Sequence, residues 1–315
     1  MIDEVTLQNE LEELFAVGPT PTPTTTTTQA TTKRATQWDG RNRKTKLILS
    51  GGGVKGIAHL GALKALQDLG LLQYIDTYAG SSIGAFVAVL LLIGYGPEDQ
   101  FEVISGIDLS KMRKRITVEN FLTRFGLDDG SGMEVILEKM FRAKGVDPTI
   151  TFQQLYERSG KTLIVTASCL NDKRIYYYSH TSAPDMKVML AVRMSISLPI
   201  YFVPVSFRGK LFVDGGCIDN YPIQLFNESL DQVIGIYLAD VRDAVRDIAN
   251  IEDFLLHLIQ CLFEGVTCNS LKGYEKYSIK ISLKKISVVD FNLDRETKRK
   301  LFDAGYEAVV AKFKA

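Results

Sequence analysis

The chain has 315 residues, 46% of them apolar and 23% charged, enough to bury a sizeable core in one large domain. Lysine plus arginine and aspartate plus glutamate number 37 each, so no overall field draws the protein to nucleic acid or to an anionic membrane, and any such attraction is local. Cys169, Cys217, Cys261 and Cys268 form neither a CxxC pair nor a zinc spacing and are too few for a disulfide framework, which points to a reducing compartment.

Met1-Ile2-Asp3-Glu4 lacks the basic-then-apolar pattern of a signal peptide, and no later stretch reaches the roughly 18 continuous apolar residues of a membrane span. The expectation is a cytoplasmic chain, soluble or peripheral on membranes. Leu7, Leu11, Leu14 and Phe15 stand at helical spacing, compatible with an amphipathic helix too short to be stable alone. Gly18-Pro19-Thr20-Pro21-Thr22-Pro23 then opens a tract with nine threonines between positions 20 and 32, too polar to offset its chain entropy. Lys33, Arg34, Arg41, Arg43, Lys44 and Lys46 follow, a basic run that reads as a solvated linker end, with contact to anionic headgroups as the second reading. Residues 1–44 are accordingly expected to be a disordered segment and 45–315 the folded domain.

Lys46-Leu47-Ile48-Leu49 reads as a buried strand stopped by three glycines, and Ile57, Leu60, Leu63, Leu66 and Leu69 repeat at helical spacing until Gly70. A second strand at Asp76-Thr77-Tyr78-Ala79 precedes Ile83 to Ile93, apolar nearly all round and too short to cross a membrane, hence a buried helix. Residues 96–147 are mostly helical and polar, with Lys111, Arg113, Lys114 and Arg115 where a lid or lipid-facing cap would sit. Strands follow at 161–168 and 174–179, a helix near 185–196, and strands near 210–213 and 233–238. This alternation predicts an α/β fold, a central mostly parallel sheet with helices on both faces.

The glycine run has three readings. Gly51, Gly53 and Gly56 satisfy the dinucleotide spacing GxGxxG, but Asp76 begins the second strand instead of ending it, where a ribose hydroxyl would need a carboxylate. A P-loop is excluded because Ile57-Ala58 follows Gly56. In the third reading a right-handed βαβ unit brings two strand ends to one rim. One end offers the backbone N–H groups of Gly51, Gly52 and Gly53 as an oxyanion hole, and the other offers Ser82 on the sharp turn Gly80-Ser81-Ser82-Ile83-Gly84.

Asp214 is the candidate base, after the apolar strand Leu211-Phe212-Val213 and before Gly215-Gly216, whose small size allows close backbone approach. Asp240 reads as a solvated strand end. His59, His180 and His257 read as packed or surface histidines, with His257 as a triad member kept as an alternative.

Gly51-Gly52-Gly53-Val54-Lys55-Gly56, Gly80-Ser81-Ser82-Ile83-Gly84 and Asp214-Gly215-Gly216 resemble, in order, the three signatures of patatin-like phospholipases, and the resemblance runs over residues 45–310. Ser197-Leu198-Pro199-Ile200-Tyr201-Phe202-Val203-Pro204 is similar to the family's proline-bearing segment. Lys55 stands where many members carry arginine. The resemblance implies a three-layer α/β/α domain and a Ser82–Asp214 dyad without histidine, needing no metal or cofactor. It also implies acyl esters of phospholipids or other glycerolipids as substrates, met at a peripheral membrane surface. Two other functions stay open: an α/β-hydrolase-type esterase using Ser82, Asp214 and His257, and a non-catalytic lipid-binding or partner-docking module on the same fold.

Overall fold

The computed structural model describes residues 43–107, 118–240, 248–283, 289–290 and 292–314. The expectations for residues 1–42, and for Lys111, Arg113, Lys114 and Arg115, lie outside the described residues.

Strand β1 (Lys46–Leu49) passes through a 3-10 turn (Gly53–Gly56) into α1 (Ile57–Asp68), and β2 (Thr77–Gly80) leads into α2 (Ile83–Leu92). Leu47 and Leu49 belong to the large core with Leu60, Leu63 and Leu66 on one face of the sheet. Ile48 packs on the other face with Tyr221 and Ile223. Alternate residues of β1 are thus buried on opposite sides, as an interior strand requires. Helix α2 is apolar all round because Ala85 through Leu90 are all buried in that core.

After α2 come α3 (Pro97–Gly106), α4 (Val118–Arg124), β3 (Gly126–Asp128), α5 (Ser131–Ala143) and α6 (Phe152–Ser159). Helix α6 starts at a capping box in which Thr151 accepts from Gln154 N–H, and ends at Gly160 in the left-handed region. The chain continues through β4 (Thr162–Cys169), β5 (Arg174–Tyr178), α7 (Val188–Ser195), β6 (Ile200–Phe202), β7 (Val205–Phe207) and β8 (Lys210–Asp214). Strand β9 (Val233–Asp240), helix α8 (Ile251–Leu271), β10 (Ser278–Leu283) and α9 (Arg295–Lys314) follow.

The main sheet runs β10-β9-β1-β2-β4-β8-β7, with β5 also on β4. Neighbours from β10 to β4 are parallel, whereas β5, β8 and β7 pair antiparallel. The predicted mostly parallel α/β/α sheet is therefore the one observed, with an antiparallel end. Its antiparallel members follow from short connections: Arg208 and Gly209, at φ 50° and 72°, form a two-residue hairpin between β7 and β8.

The register on β4 brings two strand ends together. Strand β5 occupies one edge of β4 from Val165 to Cys169, so β2 and β8 must share the other edge. Gly80 of β2 lies opposite Val165 and Asp214 of β8 lies opposite Ala167, and the C-terminal ends of two opposed strands meet there.

Helix α8 is, by length and composition over Asp253–Leu271, long and apolar enough to cross a membrane. His257, Gln260, Glu264 and Thr267 interrupt the run, which is why a count of continuous apolar residues passes over it. Leu256, Ile259 and Leu271 pack inward, while Ile251, Phe254, Leu258 and Leu262 are exposed.

Candidate active site

The turn after β2 gives Ser82 φ 52° and ψ −126°, a backbone state that costs a non-glycine residue on the order of 1–3 kcal/mol. Neighbours hold it there. Ser82 N–H donates to Ser195 Oγ at 2.9 Å in a buried contact from the end of α7. A Cβ on Gly84 would stand 2.3 Å from the Leu49 carbonyl oxygen, so only glycine lets α2 start this close to β1.

Ser82 Oγ donates to Asp214 Oδ2 at 2.6 Å, and Gly216 N–H donates to Asp214 Oδ1 at 2.8 Å. Asp214 N–H donates to the Ser197 carbonyl at 2.9 Å. The short segment from Ser195 to Ser197 therefore braces both Ser82 and Asp214. Asp214 is 1% exposed and Ser82 8%. Burial pushes the Asp214 carboxyl up from its usual range to about 7, and the bonds from Ser82 and Gly216 oppose that rise.

The glycine loop faces the same point. Gly51 is expected from sequence to donate beside Gly52 and Gly53, but its N–H is engaged by the Asn220 carbonyl at 3.1 Å, and the loop end is anchored by that bond. Gly52 N–H has no acceptor among the described residues, and Gly53 opens the 3-10 turn, where the first N–H groups have no partner within the turn. Lys55, 5% exposed, pairs with Asp240 at 2.5 Å. Asp240, a strand end still partly solvated as expected from sequence, is thus also a second anchor of the glycine loop.

These groups border a cavity of about 170 Å³ whose wall is mostly apolar, including Ile57, Phe86, Ile104, Ile136, Leu198 and Phe263. None of the three histidines borders it. His257 Nδ1 meets the Asp253 carbonyl one helical turn back at 2.6 Å, His180 stacks on Tyr156 with ring centroids 3.9 Å apart, and His59 bonds the Ser50 carbonyl at 2.9 Å. Burial pushes the His59 imidazole down to about 4, so it is neutral. Among the described residues no three His, Cys, Asp or Glu side chains converge to hold a metal ion. Ser195 and Asn220 are residues of the candidate site that sequence reasoning missed, and Asp240 is one it read only as a strand end. The last two had a usable signal, a polar residue just beyond a glycine pair or at a strand end of the same rim.

The family model of the patatin-like phospholipases matches residues 47–227, from β1 past β8, so Ser82 and Asp214 both fall inside it. The chain belongs to the patatin-like phospholipase family. Within that family of lipid hydrolases it is 34% identical over 279 residues to "Uncharacterized protein R571" of Acanthamoeba polyphaga mimivirus, covering 84% of this chain and 91% of that one. It is 31% identical to "Probable lipid hydrolase 463L" of Invertebrate iridescent virus 6, over 57% of this chain and 62% of the relative. The patatin-like fold also superposes on VipD from Legionella pneumophila with a TM-score of 0.60 at 19% identity, covering 86% of this chain and 67% of the other. Helix α8, which supplies Phe263 to the cavity wall, lies beyond the residues the family model matches.

Proposed function

We propose that this patatin-like protein is a lipid acyl hydrolase that cleaves fatty-acid esters of membrane glycerolipids, with Ser82 as nucleophile and Asp214 as its base. The observation that carries the reading is the 2.6 Å bond from Ser82 Oγ to a buried Asp214 at the end of an apolar cavity.

Asp214 takes the Ser82 proton as Oγ attacks the ester carbonyl, and a carboxylate poised at about 7 suits that transfer near neutral pH. Gly52 and Gly53 N–H groups hold the oxyanion, each donor contributing roughly 3 kcal/mol in comparable sites. Collapse expels the alcohol, which receives the proton from Asp214, and water then releases the fatty acid. The apolar wall accommodates an acyl chain. The exposed Phe254, Leu258 and Leu262 on α8 offer an apolar face to a lipid surface, the source from which such a substrate is drawn.

A fluorophosphonate probe and phospholipid vesicles test the reading. Native protein is expected to be labelled and to release fatty acid, S82A to do neither, and D214N to release none while keeping its fold. Labelling that persists in S82A refutes the nucleophile.

A further inference from the structure

Asn220 stands between the two glycine motifs, and its side chain has a property the dyad does not explain. It is 7% exposed, and Nδ2 donates to Thr267 Oγ1 at 2.8 Å. Thr267 Oγ1 donates its one proton to the Phe263 carbonyl at 2.8 Å, so toward Asn220 it can only accept. That network fixes the amide with nitrogen on Thr267 and Oδ1 directed away from it. Oδ1 has no hydrogen-bond partner among the described residues. A buried acceptor left unpaired costs about 1–3 kcal/mol, so this one calls for a role that offsets the cost.

The surroundings say where. A Cβ on Gly51 would lie 2.2 Å from Oδ1, and a Cβ on Gly216 would lie 2.6 Å from it. Glycines from both motifs therefore leave the space that this one oxygen fills. The same point beside Gly51 is 3.1 Å from Ser82 Cβ, and Gly216 N–H holds Asp214, so Oδ1 sits between the glycine next to Ser82 and the glycine that holds Asp214. Asn220 also borders the cavity.

We infer that Asn220 Oδ1 accepts a hydrogen bond from the water that hydrolyses the acyl-Ser82 intermediate and thereby orients it. The inference rests on the Ser82–Asp214 reading above. Once the alcohol has left with the first proton, Asp214 is a carboxylate. Water then has two O–H groups and two acceptors, Asp214 Oδ2 and Asn220 Oδ1, which leaves a lone pair for the acyl carbon. The water oxygen bonds to that carbon and one water proton passes to Asp214. The bond from carbon to Ser82 Oγ breaks, and Oγ takes the proton back. The second proton leaves with the fatty acid. A neutral amide serves better here than a carboxylate, because a second negative charge beside Asp214 would disfavour its ionised form.

An alcohol brings only one O–H, which Asp214 takes, so Asn220 has nothing to accept. This asymmetry supplies the test. N220A and N220S are assayed beside native protein with a p-nitrophenyl ester in water containing methanol, and acid and methyl ester are measured separately, along with the fluorophosphonate labelling rate. The expected result is hydrolysis down about tenfold, the effect of one orienting hydrogen bond, with methanolysis and labelling little changed. Hydrolysis at the native rate in either folded variant overturns the inference, as does a parallel loss of hydrolysis, methanolysis and labelling. Failure of both variants to fold assigns the amide to the fold and overturns it too. If native protein forms no acyl-enzyme, or S82A still labels, the dyad reading itself has failed, and that outcome is distinct from the others.

Discussion

Lys55 reaches from the glycine loop to Asp240, 2.5 Å from its carboxylate, and ties the proposed oxyanion donors to the end of β9. The Lys55 side chain is 7% exposed and that of Asp240 34%. D240N leaves a nearly buried ammonium without its counter-charge. Stability is expected to fall by about 1–3 kcal/mol, less than for a fully buried pair because Asp240 is partly solvated. With the loop loosened, kcat should fall more than KM rises. Urea melts and fatty-acid release at several substrate concentrations check both, and an unchanged kcat would separate the ion pair from the loop.

As the proposed base, Asp214 should link activity and stability to pH with opposite signs. Its carboxyl is held up at about 7 in the fold, so activity should rise through that pH as the base ionises. The stability it lends as a protonated group is full below its ordinary value of 3.8 and is lost as pH rises through about 7. D214N removes the buried charge. It should abolish fatty-acid release and raise Tm at pH 8 clearly more than at pH 5. Melts of both proteins across pH 5–8 measure this, and a Tm difference independent of pH contradicts it.

Ser195 accepts the N–H of a residue in a strained turn. S195A leaves that N–H buried without a partner, an expected loss of about 1–3 kcal/mol. The labelling rate of Ser82 should fall as well, because the elbow is no longer held. Restoration of both by S195T, which keeps the hydroxyl, would show that the oxygen and not the packing volume matters.

His257 is engaged with its own helix and does not border the cavity. H257A should keep fatty-acid release within about twofold of native, the ordinary range for a substitution away from such features. Loss of release in a folded H257A protein would favour the triad over the dyad.

The parts of this protein that were legible in the sequence are those with a local cause. Leu47 to Leu49 and the repeat from Ile57 to Leu66 declare a strand and a helix by periodicity alone. Gly84 and the residues around Ser82 declare a tight turn because no side chain fits there. The antiparallel end of the sheet was less visible, since the direction of β8 depends on how β4 offers its edge. Helix α8 was passed over because its polar residues at 260, 264 and 267 break the apolar run while lining or supporting the cavity.

The sequence by itself determined the family, the α/β architecture and the two residues proposed for the chemistry, because short motifs carry their own steric logic. Tertiary structure alone decided which groups stand beside them. Ser195, Asn220 and Asp240 lie 113, 138 and 158 positions beyond Ser82 along the chain, yet each stands at the same candidate site. Hydrogen bonds and ion pairs at such separations have no local pattern to announce them, and only the pairing of β9 with β1 and the packing of β2, β8 and α7 against β4 bring them together.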